Sequence, residues 1–212
     1  MFGFLVKIKN RILTSVYVAA MYCAFRIKVF YEDPEQKKKP LQGIYICNHM
    51  AHYDGLVMRA VFRKIPRYSL VTSVWYDKKW ARALLFYDRS IPVDRENPGT
   101  KWLHDCRKVL KEGGSINIFP EGHTSGSEEI MNEFYPGFLL LASMAKDIPI
   151  IPVATIGKYI WFFGERKRVL VGKPVYFDKS RFGLDPAKSE RYAEEFRTLV
   201  RSMQDKLREY KK

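Results

Sequence analysis

The chain has 212 residues, 47% of them hydrophobic. That is enough for one domain with a sizeable core, and it excludes a disordered polyelectrolyte. The formal net charge of +14 favours an anionic partner: nucleic acid, an anionic membrane surface, or a phosphorylated or acidic ligand. The three cysteines, Cys23, Cys47 and Cys106, are scattered without a C-x-x-C pair, which argues against a zinc knuckle, a thioredoxin motif or a disulfide scaffold and fits a reducing compartment.

The first predicted element is helical. "ILTSVYVAAMYCAF" (Ile12 to Phe25) carries no charge and lies between Arg11 and Arg26. A transmembrane helix needs about 20 apolar residues, so this run is short for a span. No small-residue cleavage site follows it, which argues against a signal peptide. The preceding "MFGFLVKIKNR" mixes large apolar residues with Lys7, Lys9 and Arg11. A basic amphipathic helix leading into a short apolar one suits a membrane interface; a helix packed on the core is the alternative. Residues 1–31 are therefore expected to form a membrane-association segment. "EDPEQKKKPLQ" (Glu32 to Gln42) reads as a polar surface linker whose lysines suit water or anionic headgroups.

From residue 43 to 212, short apolar runs alternate with helical patterns. Strands are predicted at "GIYIC" (Gly43 to Cys47), "YSLVTS" (Tyr68 to Ser73), "SIPV" (Ser90 to Val93), "SINIF" (Ser115 to Phe119), "IPIIPVAT" (Ile148 to Thr155) and "RVLVG" (Arg168 to Gly172). Helices are predicted after Asp54, over "PGTKWLHDCRKVLKEGG" with proline at its start and glycine at its end, over Pro136 to Asp147, and over Ser189 to Tyr210. In the last, Tyr192, Phe196, Leu199, Val200, Met203 and Leu207 form one apolar face. The alternation predicts a single α/β domain whose mostly parallel or mixed central sheet is covered by helices. Sites in such sheets form beyond the carboxyl ends of the strands.

Three polar stretches sit at strand ends: "NHMAHYD", "PVDR" and "FPEGHTS". On a continuous helix His49 and Asp54 would point about 140° apart. They meet only if His49 lies in a loop and Asp54 at the helix start, which is where the pattern places them. A carboxylate on one imidazole nitrogen fixes the tautomer and raises the basicity of the other. An imidazole so held takes a proton from an alcohol attacking a carbonyl. No G-x-S-x-G elbow is present, so a serine hydrolase is not indicated. Asp54 also suits an N-cap. His49, His52 and Asp54 together admit a metallohydrolase, although a zinc site would need a further strong ligand, and His104 falls within a predicted helix. Glu121 and Gly122, after a buried strand, suit a hydroxylated ligand or a plain turn; Arg95 suits a phosphate or a surface pair with Asp94. A nucleic-acid module lacks an RNP, helix-turn-helix or zinc signature.

In their order, "NHMAHYD", "SIPVDR", "FPEGHTS" and "IPIIPV" resemble the four blocks of the glycerolipid acyltransferase family, to which bacterial 1-acylglycerol-3-phosphate acyltransferase belongs. The resemblance covers about Gly43 to Val153. It implies transfer of a fatty acyl group from a thioester, on coenzyme A or acyl carrier protein, to a lyso-glycerophospholipid hydroxyl. It implies His49 as general base and Asp54 as its orienting partner. Arg95 would bind the acceptor's phosphate; Asn48, Glu121 and Gly122, with Ile151 and Pro152 of the fourth block, would bind or shape the substrates. It implies no metal and no cofactor, no nucleic acid, and a peripheral or monotopic place at the cytoplasmic face of the cell membrane. The chain departs from the pattern at Ala51, where serine is usual, at His123 and Thr124, where Thr-Arg is usual, and at Tyr135, where lysine is frequent. Those lost cations make a different lyso-lipid or hydroxylated acceptor the alternative.

Overall fold

A computed structural model describes residues 2–79, 81–82, 85, 89–145, 147–160, 163–182 and 185–210, with side chains from residue 13 onward outside 159–163. In chain order the helices are α1 (Phe2–Phe25), α2 (Pro34–Lys38), α3 (Asp54–Val61), α4 (Lys101–Lys111), α5 (Gly137–Met144) and α6 (Pro186–Glu209). The strands are β1 (Lys28–Tyr31), β2 (Ile44–Cys47), β3 (Arg67–Thr72), β4 (Ser90–Val93), β5 (Ser115–Ile118), β6 (Ile150–Ile156), the short hairpin β7 (Tyr159–Ile160) and β8 (Phe163–Gly164), and β9 (Arg168–Val171).

Seven strands form one sheet in the order β1-β9-β6-β2-β5-β3-β4. From β6 to β4 every neighbouring pair is parallel. The β6–β9 pair is antiparallel and β1 lies parallel to β9. The sheet is thus mixed, and the carboxyl ends of its five mutually parallel strands share one edge.

Side chains alternate across the strands, and the two faces collect different helices. Ile44, Ile46, Ile116, Ile118, Ile150 and Ala154 face a core closed by α4, α5 and α6. Tyr45, Cys47, Ile151, Val153, Val169 and Val171 face a second core closed by α1 and α3. Helix α6 shows how the pattern works. Asp185 caps its first turn by accepting from Ala187 N, Pro186 opens it, and Tyr192, Phe196, Val200, Met203 and Leu207 bury one stripe. Each such burial stabilises by roughly 1.5–3 kcal/mol. Helix α4 ends as its sequence predicts, with Gly113 at a φ of 81° that a side chain would disfavour.

The sheet begins earlier than the sequence suggested. Helix α1 stops at Phe25, and Lys28–Tyr31, expected within the N-terminal helical segment, is an edge strand of the sheet. The expected linker holds α2, capped by Asp33, and buries Gln36, whose Nε2 donates to Gly172 O at 3.0 Å. Helix α1 docks through Phe25, whose ring stacks on Tyr53 at 5.2 Å, and through Tyr22, which lies under the Arg63 guanidinium at 5.4 Å. Leu13 and Val16 of the same helix are exposed. The expected basic-apolar face of residues 1–12 lies outside the described side chains. Among the described residues no helix is long and apolar enough to cross a membrane.

The thiols give a check on the packing. Cys23 is exposed, whereas Cys47 and Cys106 are buried, and burial pushes both buried thiols up, Cys106 to about 12. An aromatic disulfide reagent should titrate one thiol in the native protein and three after unfolding in guanidinium. Rapid reaction of a second native thiol would contradict the packing around β2 and α4.

Candidate active site

Strand β2 runs as four fully buried residues and delivers Asn48 to the shared carboxyl edge of the sheet. The Asn48 side chain was expected at the substrate. Instead it joins β2 to β6, donating to Thr155 O at 3.1 Å and accepting from Thr155 N at 2.8 Å. A buried carboxamide satisfied on both ends pins the exit of β2.

The chain then turns through His49–Tyr53 before α3 starts at Asp54. The helix uses no side-chain cap. Asp54 is its first residue rather than its cap, and its carboxylate turns back toward the loop. Oδ2 accepts from Met50 N at 2.7 Å and Ala51 N at 2.8 Å, and meets His49 Nδ1 at 3.2 Å. His49 therefore sits in the loop and Asp54 at the helix start, as their spacing required.

The opposite oxygen, Oδ1, faces the ammonium of Lys167 at 2.9 Å. Both side chains are fully buried, whereas that of His49 is 17% exposed. Burial alone would raise the Asp54 carboxyl. The Lys167 ammonium, the His49 hydrogen bond and charge, and the Ala51 amide outweigh it and hold the group at about 2. Asp54 is thus a carboxylate across the physiological range.

Glu121 fixes the other side of His49. It is fully buried at the exit of β5. Its Oε1 accepts from His49 N at 2.6 Å and its Oε2 from Asn132 N at 2.8 Å. Expected at the substrate, Glu121 ties two loops together through their amides. Burial raises its carboxyl, against the opposing pull of those two amides. Next to it, Phe119 lies under the His49 ring, with centroids 4.2 Å apart and planes 20° from parallel. The imidazole is held in its plane from below and along one edge from Asp54.

Gly122 is on the surface with a φ of 70°, and a Cβ there would press on the Tyr135 ring at 3.3 Å. The loop that follows is anchored from behind. Ser125 N donates to His49 O at 2.8 Å. Helix α6 reaches its main chain, with Arg197 on Met131 O and Arg201 and Arg208 on Glu128 O. His123 and Tyr135, at two of the departures from the family pattern, are both exposed.

The remaining expected residues fall into two groups. Arg95 is exposed beyond β4, at the shared edge but three strand spacings from β2, roughly 14 Å. Its neighbour Asp94 makes a turn by accepting from Glu96 N and Asn97 N rather than a side-chain pair. Ile151 and Pro152 are enclosed within β6: Ile151 packs into the α1–α3 core, and Pro152 lies against Gly172 and accepts from its N–H at 2.9 Å. His52 is exposed and presents its ring to the edge of Trp75 at 5.6 Å. Among the described residues no three His, Cys, Asp or Glu side chains are grouped to hold a metal ion. The metal triad considered from His49, His52 and Asp54 is not assembled.

The fold is a helix-covered mixed sheet whose edge carries a loop histidine held by a helix-start aspartate. The acyltransferase family model matches residues 28–156. The chain belongs to the acyltransferase family. It is 28% identical over 137 residues to a 1-acyl-sn-glycerol-3-phosphate acyltransferase of Bacillus subtilis, covering 63% of this chain and 66% of that protein. It is 22% identical over 192 residues to a chloroplastic enzyme of that name from Brassica napus, covering 82% of this chain and 54% of the relative. It is 24% identical over 146 residues to one from Haemophilus influenzae, covering 66% and 59%. The chain thus spans between about half and two thirds of these relatives' length. The crystal structure of the 1-acyl-sn-glycerophosphate acyltransferase PlsC from Thermotoga maritima shares the fold, with a TM-score of 0.68 at 16% identity over 98% of this chain and 88% of that one.

The Asp54 environment sets an acid limit on stability. A carboxyl held at about 2 in the fold, against an ordinary 3.8, contributes about 2 kcal/mol that is complete above about pH 5 and lost as pH falls toward 2. Glu121, shifted upward, has the opposite sign and loses its contribution as pH rises above its ordinary value. Asp54→Asn should unfold at lower temperature than wild type near neutrality, and its melting temperature should fall less steeply between about pH 4 and 2. Circular dichroism melts at stepped pH measure both slopes.

Proposed function

We propose that this protein transfers a fatty acyl group from a thioester donor to a hydroxyl of a lyso-glycerophospholipid, with His49 as the general base. The observation that carries the reading is the His49 Nδ1–Asp54 Oδ2 contact at 3.2 Å. It assigns the proton of the neutral ring to Nδ1 and leaves Nε2 as the acceptor nitrogen. Nε2 removes the proton of the acceptor hydroxyl as its oxygen attacks the thioester carbonyl carbon. The tetrahedral intermediate collapses, the carbon–sulfur bond breaks, and the imidazolium returns its proton to the leaving thiolate. An ester and a free thiol result. Asp54 holds the tautomer and opposes the transient positive charge on the ring without taking the proton.

The donor is acyl-coenzyme A or an acylated acyl carrier protein, both polyanions suited to a chain of charge +14. Arg95 receives the acceptor's phosphate, and Gly122, in the loop after β5 and without a side chain, borders the acceptor. The acceptor carries its own acyl chain and resides in a membrane. Helix α1, with Leu13 and Val16 exposed, rests in the interface at the cytoplasmic face and brings the sheet edge to the lipid. Thr124 and Tyr135, where the family pattern has arginine and frequently lysine, favour an acceptor other than 1-acylglycerol-3-phosphate as a second reading, because neither supplies a fixed cation.

His49→Ala should reduce acyl transfer by about 10²–10⁴-fold while leaving the melting temperature within a few degrees of wild type. The assay pairs labelled acyl-coenzyme A and acyl carrier protein donors with a panel of lyso-lipids in mixed vesicles. Undiminished transfer by a folded His49→Ala protein would remove the base assignment.

A further inference from the structure

The cation behind Asp54 belongs to none of the four sequence blocks. Lys167 lies one residue before β9, and its side chain is fully buried. Its backbone is locked on both sides: the N–H donates to Phe25 O at 3.1 Å, and its carbonyl accepts from Lys28 N at 2.9 Å. Gly157 permits this course. Its φ is 104°, and a Cβ there would run into the carbonyl of Arg166. The side chain is therefore delivered from a fixed main chain to a fixed carboxylate.

A buried ammonium is costly unless an anion meets it, and an apolar side chain of similar length would fill the space at no such cost. The partners of this one are few. Asp54 Oδ1 is 2.9 Å away and the Tyr53 ring centroid 5.4 Å. Neither Lys167 Nζ nor Asp54 Oδ1 makes an aligned hydrogen bond among the described residues, so the attraction is between charges. Other ionisable groups near the dyad are Cys47 at the end of β2, Glu121 at the exit of β5, and Arg67 on β3, whose guanidinium reaches Gly55 O at 3.5 Å.

We propose that Lys167 is a positioning residue for the reaction, holding the Asp54 carboxylate ionised and turned so that Oδ2 faces the His49 ring. The inference rests on His49 acting as the base. Two effects combine. The ammonium occupies Oδ1, so the carboxylate cannot rotate to offer both oxygens to the loop. It also places a positive charge 2.9 Å from Oδ1, which offsets the carboxylate's field at the imidazole.

Lys167→Met removes the charge and keeps the chain length. Without the ammonium the carboxylate takes a proton more readily and its uncompensated field favours the imidazolium. Either protonation disables the base, so the acidic limb of kcat/KM should move up by about one pH unit or more. kcat at neutral pH should fall about tenfold or more, with KM for the lyso-lipid little changed. Lys167→Arg, which keeps the cation, should leave the limb within about half a unit of wild type. A folded methionine variant with an unmoved limb, whatever its melting temperature, would reduce Lys167 to a packing residue and overturn the proposal. If that variant does not fold, Asp54→Asn/Lys167→Met is compared with Asp54→Asn. The added loss of kcat should be about twofold or less, because the lysine acts through the aspartate; a further tenfold loss overturns it. His49→Ala run alongside separates the two ideas: activity retained there removes the base, whereas activity lost there with an unmoved limb in Lys167→Met removes only the lysine's role.

Discussion

Asp54 keeps a full negative charge in a fully buried place, and the surrounding structure makes that charge tolerable. Two loop amides and an imidazole share Oδ2, while an ammonium faces Oδ1. Each partner comes from a segment whose path is fixed by something else: the amides from the loop leaving β2, the ammonium from the entry to β9. A carboxylate bound on all sides both ionises and stops moving. Those are the two properties an imidazole acting as a base would need from its partner, so in the proposed mechanism the stability of the site and its chemistry have the same source.

The loop histidine is constrained on three sides by groups of different kinds. Asp54 sets the ring's edge, Phe119 its plane, and Glu121 the main chain that carries it. Glu121 illustrates why strand ends in parallel sheets are used this way. Strands β2 and β5 are direct neighbours, so a carboxylate leaving one lies beside the amides leaving the other. The adjacency that builds the sheet also aligns the two loops that meet at His49. Asn48 does the same toward β6, so the exit of β2 is tied to both of its neighbours.

Local pattern made the six strands from β2 to β6 and β9 legible, because each is a short apolar run between turn residues. The helix-start position of Asp54 followed from the same patterning. Strand β1 was not legible: "KVFY" follows an apolar helical run and is short and half-exposed, and only its pairing with β9, far along the chain, makes it a strand. Lys167 was hidden for a similar reason. In "GERKRVLV" it stands among solvated charges, and nothing local distinguishes it from Arg166 or Arg168; the partner that draws it inward is on another element. Asn48 and Glu121 were found as residues that matter, but chemistry alone could not say whether their polar atoms face a ligand or the backbone. Phe119 looked like the end of a buried strand, and its position under the imidazole depends on the register of β5 against β2.

The arginines of α6 grip the loop after Gly122 by its carbonyl oxygens, at Glu128 and Met131. A carbonyl is present whatever residue bears it. The loop's route past His49 is therefore insulated from changes in its exposed side chains; Glu128, whose carboxylate also receives Gly157 N, and the buried Met131 and Phe134 are excepted. Positions such as His123 and Thr124 are thereby freed to drift or be exchanged without disturbing the dyad behind them. A scaffold so divided, with main chain held for geometry and side chains left for choice, is one in which acceptor preference can diverge while the reaction stays the same.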